Sequence, residues 1–269
     1  MSPGYVHAEA PYRAELDRLH LLERRYDSVT RGRLERVGPL TGLRCLDVGA
    51  GAGSVALMLA DAVGPDGEVV ALDLDPRFLG DLRRSNMTVR QHDIVNDDLE
   101  QSAYDLVHCR ALLLHLSDPW AALSRMAGAL RPGGWLVLED ADFTPFGAVP
   151  GHAASEEFDR VVRIWGQGLQ DDWTFDPWFG AKLPGLLAEL GLVERGDEAL
   201  RFQRVGGSPE AELYAVAFES LDRGTSPMRL PEGIDLTPLI AALRDPAFAF
   251  VDSLNVCAWG RRPMLGYLG

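Results

Sequence analysis

The residues best suited to chemistry lie in one glycine-rich segment, residues 46–54. The segment reads Leu-Asp-Val-Gly-Ala-Gly-Ala-Gly-Ser, with glycine at alternate positions after a short apolar run. Glycine permits a sharp turn and a close approach of the backbone to a ligand. A helix that follows such a turn offers its N–H groups and the positive end of its dipole. A purely structural turn has the same composition, so the segment alone does not identify a ligand.

Two acidic residues near this turn narrow the choice of ligand. A carboxylate at Asp47, two residues before Gly49, would repel a pyrophosphate but would accept hydrogen bonds from an ammonium group. Asp73 lies about twenty residues beyond the glycines, where an acidic side chain binds ribose hydroxyls. S-adenosyl-L-methionine has an amino-acid end, a ribose and a base but no phosphate. The pattern therefore predicts it as the cofactor.

Short apolar runs alternate with helical patterns through the first half of the chain. Strands separated by helices at this spacing predict a Rossmann-like, doubly wound α/β sheet that is mostly parallel. Ligands of such sheets lie beyond the carboxyl ends of the strands. One or two amphipathic helices are expected over 15–37, strands over 44–48, 68–72, 87–91, 104–109 and 135–139, and helices over 54–63, 77–84 and 120–130.

The alternation of strands and helices ends after the fifth strand. Residues 143–180 are aromatic and polar, and their aromatic side chains either contact a substrate or pack this segment onto the core. The aromatic set between 165 and 179 is Trp165, Trp173, Phe175, Trp178 and Phe179. Helices are expected over 183–190, 209–222 and 236–243, a sixth strand within 193–205 and a seventh over 250–259.

Composition limits the class of partner. The 269 residues are 46% hydrophobic, which suits one α/β domain with an appended helical part, or two small domains. A formal net charge of -14 makes nucleic acid and anionic membranes poor partners. The three cysteines have no metal-ligand spacing, so reduced thiols and no metal site are expected. Without an apolar leader or a run of roughly 20 apolar residues, we expect a cytoplasmic protein.

Four motifs together resemble the class I S-adenosylmethionine-dependent methyltransferase superfamily, over about residues 16–138. They are residues 47–53, Asp73-Leu74-Asp75, His92-Asp93-Ile94 and residues 130–134. The likeness is greatest to bacterial small-molecule methyltransferases, including those of natural-product biosynthesis. It implies seven strands with the last antiparallel, in a domain over 41–269. It also implies a helical lid over 1–40 and substrate-lid insertions at about 143–180 and 208–245.

The resemblance also implies roles for individual residues. Gly49, Gly51 and Gly53 would line the methionine moiety, with Ala50 where many relatives have cysteine. Asp73 would bind the ribose hydroxyls, and Leu74 would cover one adenine face. Asp93 would accept from the adenine amino group unless it is only a helix cap or turn residue, and the Ile94 N–H would donate to the ring. Cys109 and Arg110 would lie beside the methionine moiety.

The sequence offers no decisive general base. His115, in the apolar run 112–116, follows the fourth strand and is the candidate, although a lone histidine there also fits a structural role. His152 is similarly open. The Asn/Asp-Pro-Pro-Tyr/Phe tetrad of base-methylating relatives is absent after the fourth strand, which further disfavours nucleic acid.

The predicted function is methyl transfer to O, N or C of a small-molecule acceptor, by a monomer or homodimer. A nicotinamide-dependent oxidoreductase is disfavoured, because Ser54 occupies the third glycine position of its fingerprint. A cyclase, another non-methylating enzyme or a binding protein on the same fold stays open.

Overall fold

The computed structural model describes residues 12–172, 175–223 and 233–264. The helices are α1 (Tyr12–Arg36), α2 (Ser54–Val63), α3 (Pro119–Ala129), α4 (Ser155–Asp172), α5 (Leu183–Glu189), α6 (Pro209–Asp222) and α7 (Thr237–Arg244). The strands are β1 (Arg44–Val48), β2 (Glu68–Asp73), β3 (Met87–Gln91), β4 (Tyr104–Arg110), β5 (Leu130–Asp142), β6 (Gly147–Ala148), β7 (Val193–Leu200), β8 (Gln203–Val205), β9 (Ala249–Val251) and β10 (Leu254–Arg261). Short 3-10 turns occur at Pro76–Phe78, Leu113–His115 and Phe179–Lys182.

Seven strands form one sheet in the order β3-β2-β1-β4-β5-β10-β7. The pairs among β3, β2, β1, β4 and β5 are parallel, whereas β10 runs antiparallel to both of its neighbours. The direction of the winding reverses between β1 and β4, which is where a doubly wound sheet binds its ligand. The predicted mostly parallel sheet with an antiparallel last strand is confirmed.

Apolar residues on both faces of this sheet hold the helices in place. On one face, α2 packs on β1 and β2, and the end of α1 packs against α2, through residues such as Leu34, Leu59 and Val69. On the other face, α3 packs on β4 and β5, and α5 packs on β10 and β7, through residues such as Leu123 and Leu187. Strands buried on both sides are what a parallel sheet requires.

Three predicted elements differ from the structure. Residues 77–84 do not form an α-helix but a 3-10 turn followed by further turns. Gly80 in the middle costs about 1 kcal/mol, and so short a helix has little stability of its own. The fifth strand is longer than predicted, Leu130–Asp142, because Leu130 already takes the extended conformation and pairs with Tyr104.

The predicted seventh strand is divided in two. Asp252 and Ser253 separate β9 from β10, and β9 joins a second, three-stranded sheet in the order β6-β9-β8. This small sheet, α4, α6 and α7 surround an aromatic cluster that includes Phe146, Phe158 and Phe250. Trp165 packs against the same cluster. Trp173 lies outside the described residues.

No helix in the described ranges is both long enough and apolar enough to span a bilayer.

Candidate active site

A cavity of about 320 Å³ lies beyond the carboxyl ends of β1, β2 and β4, beneath α1. Its wall contains most of the predicted site residues: Asp47, Gly49, Ala50, Gly51, Asp73, Leu74, Asp93, Ile94, Arg110 and His115. The N-terminal half of α1 supplies the roof through Glu15, Arg18, Leu19, Leu22, Glu23 and Tyr26. Residues that follow four strands, β1 to β4, and residues of one helix thus enclose a space of the size that small ligands occupy.

The glycine-rich turn is constrained by its surroundings. Gly49 and Gly51 have φ angles of 74° and 57°, in the left-handed region that favours glycine. A Cβ on Gly49 would lie 2.9 Å from Leu112 Cδ2, and one on Gly51 would lie 3.3 Å from Leu19 Cδ2. The turn therefore needs glycine both for its backbone conformation and for the close approach of α1 and the loop after β4.

Asp73 ties the glycine-rich turn to the end of β2. Its Oδ2 accepts a hydrogen bond of 2.8 Å from the Gly51 N–H, and its Oδ1 accepts one of 2.9 Å from the Asp75 N–H. Burial raises the pKa of Asp73, while these two backbone donors lower it. The carboxylate is thus held in place at the cavity wall, and each oxygen keeps capacity for a further donor.

Asp47 is a deeply buried acid of the cavity wall, at 2% exposure. Its Oδ1 lies 2.9 Å from His108 Nδ1. Its Oδ2 is buried and has no hydrogen-bond partner within the described part of the chain. An unpaired buried carboxylate oxygen is costly, so this atom requires a donor from a ligand or from water.

A group of polar side chains joins α1 to the start of α2. The Ser54 N–H donates to Glu23 Oε1 at 3.1 Å, and the Ser54 hydroxyl donates to Asp27 Oδ1 at 2.9 Å. Arg110 donates to Asp27 at 3.0 Å and to Thr30 at 2.9 Å. The sequence predicted that the first N–H groups of α2 would face a ligand, whereas this one is capped by α1.

Asp93 lies in a turn whose backbone its own carboxylate supports. Oδ1 accepts from the Val95 N–H at 2.9 Å, and Oδ2 accepts from Asn96 Nδ2 at 2.8 Å. The hydrogen bond from Asn96 is the first cause of a lowered pKa at Asp93. Next to it, Ile94 is buried, while Leu74 on the opposite side is 50% exposed. Asp93 thus makes the contacts of a turn residue, and it also lines the cavity where the adenine is expected.

His115 ends the 3-10 turn Leu113–His115 and lines the cavity. Its ring meets the edge of Phe175 with the centroids 5.0 Å apart. Asp140, at the end of β5, supports this turn by accepting from the Leu114 N–H at 3.0 Å. Burial raises the pKa of Asp140 to about 8. His115 thus lies in the cavity wall on a turn that Asp140 supports.

Two predicted contacts are not found in the cavity wall of the described residues. Gly53 faces away, since a Cβ there would lie 2.2 Å from Leu82 Cδ1, so it serves the packing of the turn. The Cys109 side chain is 1% exposed and belongs to the hydrophobic core. His152 is also remote from the cavity, and its Nε2 lies 3.4 Å from Asp245 Oδ2.

Sequence reasoning missed several functional candidates. His108, Glu139 and Arg33 form a buried ionic chain behind the cavity, and Glu15 lies in its roof, 2.7 Å from Arg18. A signal existed for His108 and Glu139, because each is a polar residue within an apolar strand. No comparable signal marked Glu15 or Arg33 of α1, since charged side chains are ordinary on an amphipathic helix.

Comparisons with known proteins agree with the fold. Residues 46–136 match a family described as a methyltransferase domain. Methyltransferase str3 of Strobilurus tenacellus is 31% identical over 150 residues, which are 54% of this chain and 50% of str3. Methyltransferase pytC of Aspergillus terreus is 33% identical over 144 residues, 51% of this chain and 44% of pytC. The chain spans about half the length of these curated relatives.

A solved structure extends the comparison beyond the first five strands. A candidate methyltransferase from Bacillus halodurans C-125 superposes with a TM-score of 0.57 at 19% identity, over 87% of this chain and 99% of that one. At this identity the likeness shows the fold, which is that of a class I methyltransferase. Residues 46–136 thus match a methyltransferase domain, and the fold is the class I methyltransferase fold that the four motifs predicted.

Proposed function

We propose that this protein transfers a methyl group from S-adenosylmethionine to a small-molecule acceptor. The observation that carries the proposal is the buried Oδ2 of Asp47, which no described residue hydrogen-bonds, in the wall of a cavity that Asp73 and Asp93 also line. An ammonium group would supply the missing donor to Asp47. A pyrophosphate would instead bring negative charge against it, which disfavours a dinucleotide.

The other wall residues fit the remaining parts of the cofactor. Asp73 would accept from the ribose hydroxyls with the lone pairs that Gly51 and Asp75 leave unused. Asp93 and the Ile94 N–H would address the edge of the adenine, and the half-exposed Leu74 would cover one face. When bound, S-adenosylmethionine supplies an electrophilic methyl group on a sulfonium.

The contribution of the chain itself is positioning and exclusion of water. Leu19 and Leu22 of α1 and Leu112 after β4 give the cavity apolar walls, which keep an acceptor close to the methyl group in a dry space. His115 would take a proton from the acceptor where one has to leave. We propose it as the base for such an acceptor only.

The acceptor is proposed to be a small molecule, as in natural-product biosynthesis. The formal net charge of -14 opposes the approach of a nucleic acid backbone. The proposed organisation keeps residues 1–40 as a lid and 143–180 and 208–245 as insertions around a domain over 41–269. The described residues of the two insertions pack together in the aromatic cluster, with Phe175 reaching His115.

The proposal is tested by following a labelled methyl group. Purified protein is incubated with methyl-labelled S-adenosylmethionine and, separately, with the small-molecule and the nucleic-acid fractions of a bacterial lysate. We expect label in the small-molecule fraction, with S-adenosylhomocysteine released in equal amount, and little of either with Asp73→Ala. Label in nucleic acid would contradict the small acceptor. Cofactor binding without any S-adenosylhomocysteine would favour a non-methylating enzyme or a binding protein.

A further inference from the structure

A buried chain of ionisable groups runs from α1 through the sheet to the cavity. Arg33 Nη1 lies 2.6 Å from Glu139 Oε2, and Glu139 Oε1 lies 3.3 Å from His108 Nε2. His108 Nδ1 lies 2.9 Å from Asp47 Oδ1. The exposed fractions of the four residues are 3% or less. Groups at this depth keep their charges only if each is paired.

The sheet register brings the central pair together. Asp47 of β1 and His108 of β4 are direct partners in the parallel ladder, so their side chains leave the sheet on the same face. Because His108 takes Oδ1, the second oxygen of Asp47 is left for the cavity. Glu139 of β5 and Arg33 of α1 fix the imidazole from behind, and Arg33 is held in turn by Asn255.

The surroundings of the ring favour its doubly protonated form. Each ring nitrogen faces a carboxylate oxygen, so a neutral imidazole would direct a lone pair at one of them. Burial lowers the pKa of His108, but the hydrogen bonds to Asp47 and Glu139 outweigh it and raise the pKa overall. The other charges nearby are Arg33, which neutralises Glu139 from α1, and Arg110 on the same strand.

We infer that His108 is a positioning residue of the amino-acid subsite, which holds Oδ1 of Asp47 and so aims the second oxygen at the ammonium group of the cofactor. The inference rests on the proposed function. Without the imidazole, Oδ1 of the buried Asp47 would lose its partner, and the carboxylate would no longer be held with Oδ2 toward the cavity.

The test compares two ligands that differ in the amino-acid end. S-adenosylhomocysteine has the ammonium group, whereas 5′-methylthioadenosine has the same nucleoside thioether without it. We expect His108→Asn to weaken the binding of S-adenosylhomocysteine about tenfold or more, because a hydrogen bond to a charged group is lost. The affinity for 5′-methylthioadenosine should change less than about twofold. His152→Asn, remote from the cavity, is the matched control and should change neither affinity.

The binding results separate failure of the proposed function from failure of the inference on His108. If wild-type protein binds neither ligand, the proposed function fails. If wild type binds both and His108→Asn weakens both equally, or weakens neither, then His108 is a structural residue and the inference is overturned.

A second measurement needs no variant of His108. Spectra of the imidazole nitrogens are recorded on wild-type protein, with the other five histidines assigned by single replacement. We expect a doubly protonated His108 at neutral pH whose nitrogens shift with S-adenosylhomocysteine but not with 5′-methylthioadenosine. A neutral His108, or one that responds to neither ligand or to both alike, would overturn the inference even if His108→Asn did not fold.

Discussion

The carboxylates of the cavity wall differ in the hydrogen bonds that they already accept within the protein. Asp73 and Asp93 accept hydrogen bonds from neighbouring backbone groups, so each shapes its loop as well as the cavity. Asp47 has one oxygen on a histidine and one without a partner among the described residues. Asp73 and Asp93 therefore stabilise the backbone and line the cavity. Asp47 instead has one oxygen that needs a hydrogen-bond donor, so a ligand contributes most there.

Replacement of Asp73 tests the expected ribose contact. Asp73→Ala should weaken binding of S-adenosylhomocysteine by about 2–3 kcal/mol, because hydrogen bonds from two hydroxyls to a charged group are lost. Asp61→Ala removes an exposed carboxylate of α2 that lies outside the cavity and should leave the affinity unchanged. Titration calorimetry gives both values, and an Asp73 variant with wild-type affinity would contradict the assigned role.

At the scale of elements, α1 has two halves with different surroundings. The half that contains Leu19 and Leu22 roofs the cavity. The other half carries two buried arginines: Arg25 lies 2.5 Å from Asp252, and Arg33 lies 2.6 Å from Glu139. The resemblance implied a lid over residues 1–40, and these contacts favour a scaffold role for the second half of α1 while the lid stays a prediction for the first half.

Hydrogen exchange separates the two halves. We expect amides of residues 12–23 to slow markedly when S-adenosylhomocysteine is added, because lids are drawn from the less stable parts of a fold. Amides of residues 25–36 should be protected without ligand and stay so. High protection over the whole of α1 with no response to ligand would show that the entire helix is scaffold.

The turn that carries His115 should respond to pH through Asp140. Its pKa of about 8 in the folded protein exceeds the ordinary value of 3.8, so the folded state holds a proton that the unfolded state has lost. Stability should therefore fall as pH rises between these values, by at most about 1.4 kcal/mol per unit from this group. Urea unfolding at pH 6, 7 and 8 should show Asp140→Asn gaining on wild type as pH rises. The exposed Asp66→Asn should not, and a gain independent of pH would contradict the assignment.

At the scale of the molecule, α1 connects the two sheets. Arg25 reaches Asp252, between β9 and β10, while Tyr214 of α6 donates to the same carboxylate at 2.7 Å. Replacing Arg25 by Met removes the nearer of two cations from the buried Asp252, leaving Arg204 at 3.3 Å, and should lower the free energy of unfolding by about 3 kcal/mol. Arg36→Met breaks an exposed pair with Glu198 and should cost about 1 kcal/mol or less. If both variants lose the same free energy of unfolding, measured by thermal or urea unfolding, then the Arg25–Asp252 pair does not stabilise the connection between α1 and the second sheet.

The sheet and the site residues after β1 and β2 could be predicted from the sequence, because both depend on local patterns. The glycines after β1 and the acid after β2 have fixed spacing, and a parallel sheet brings strand ends together. The packing reason for glycine at position 53 could not be predicted, because it comes from Leu82, a contact between distant segments. The break in the last predicted strand had the same kind of cause, since Asp252 pairs with residues of α1 and α6.

Binding of S-adenosylmethionine in the cavity, with its ammonium group on Asp47, is measured by calorimetric titration of the folded protein with S-adenosylhomocysteine. We expect one site with a dissociation constant in the micromolar range, about -8 kcal/mol, and loss of most of that affinity in Asp47→Asn. A folded wild-type protein that gives no binding signal with either S-adenosylhomocysteine or S-adenosylmethionine would contradict this expectation.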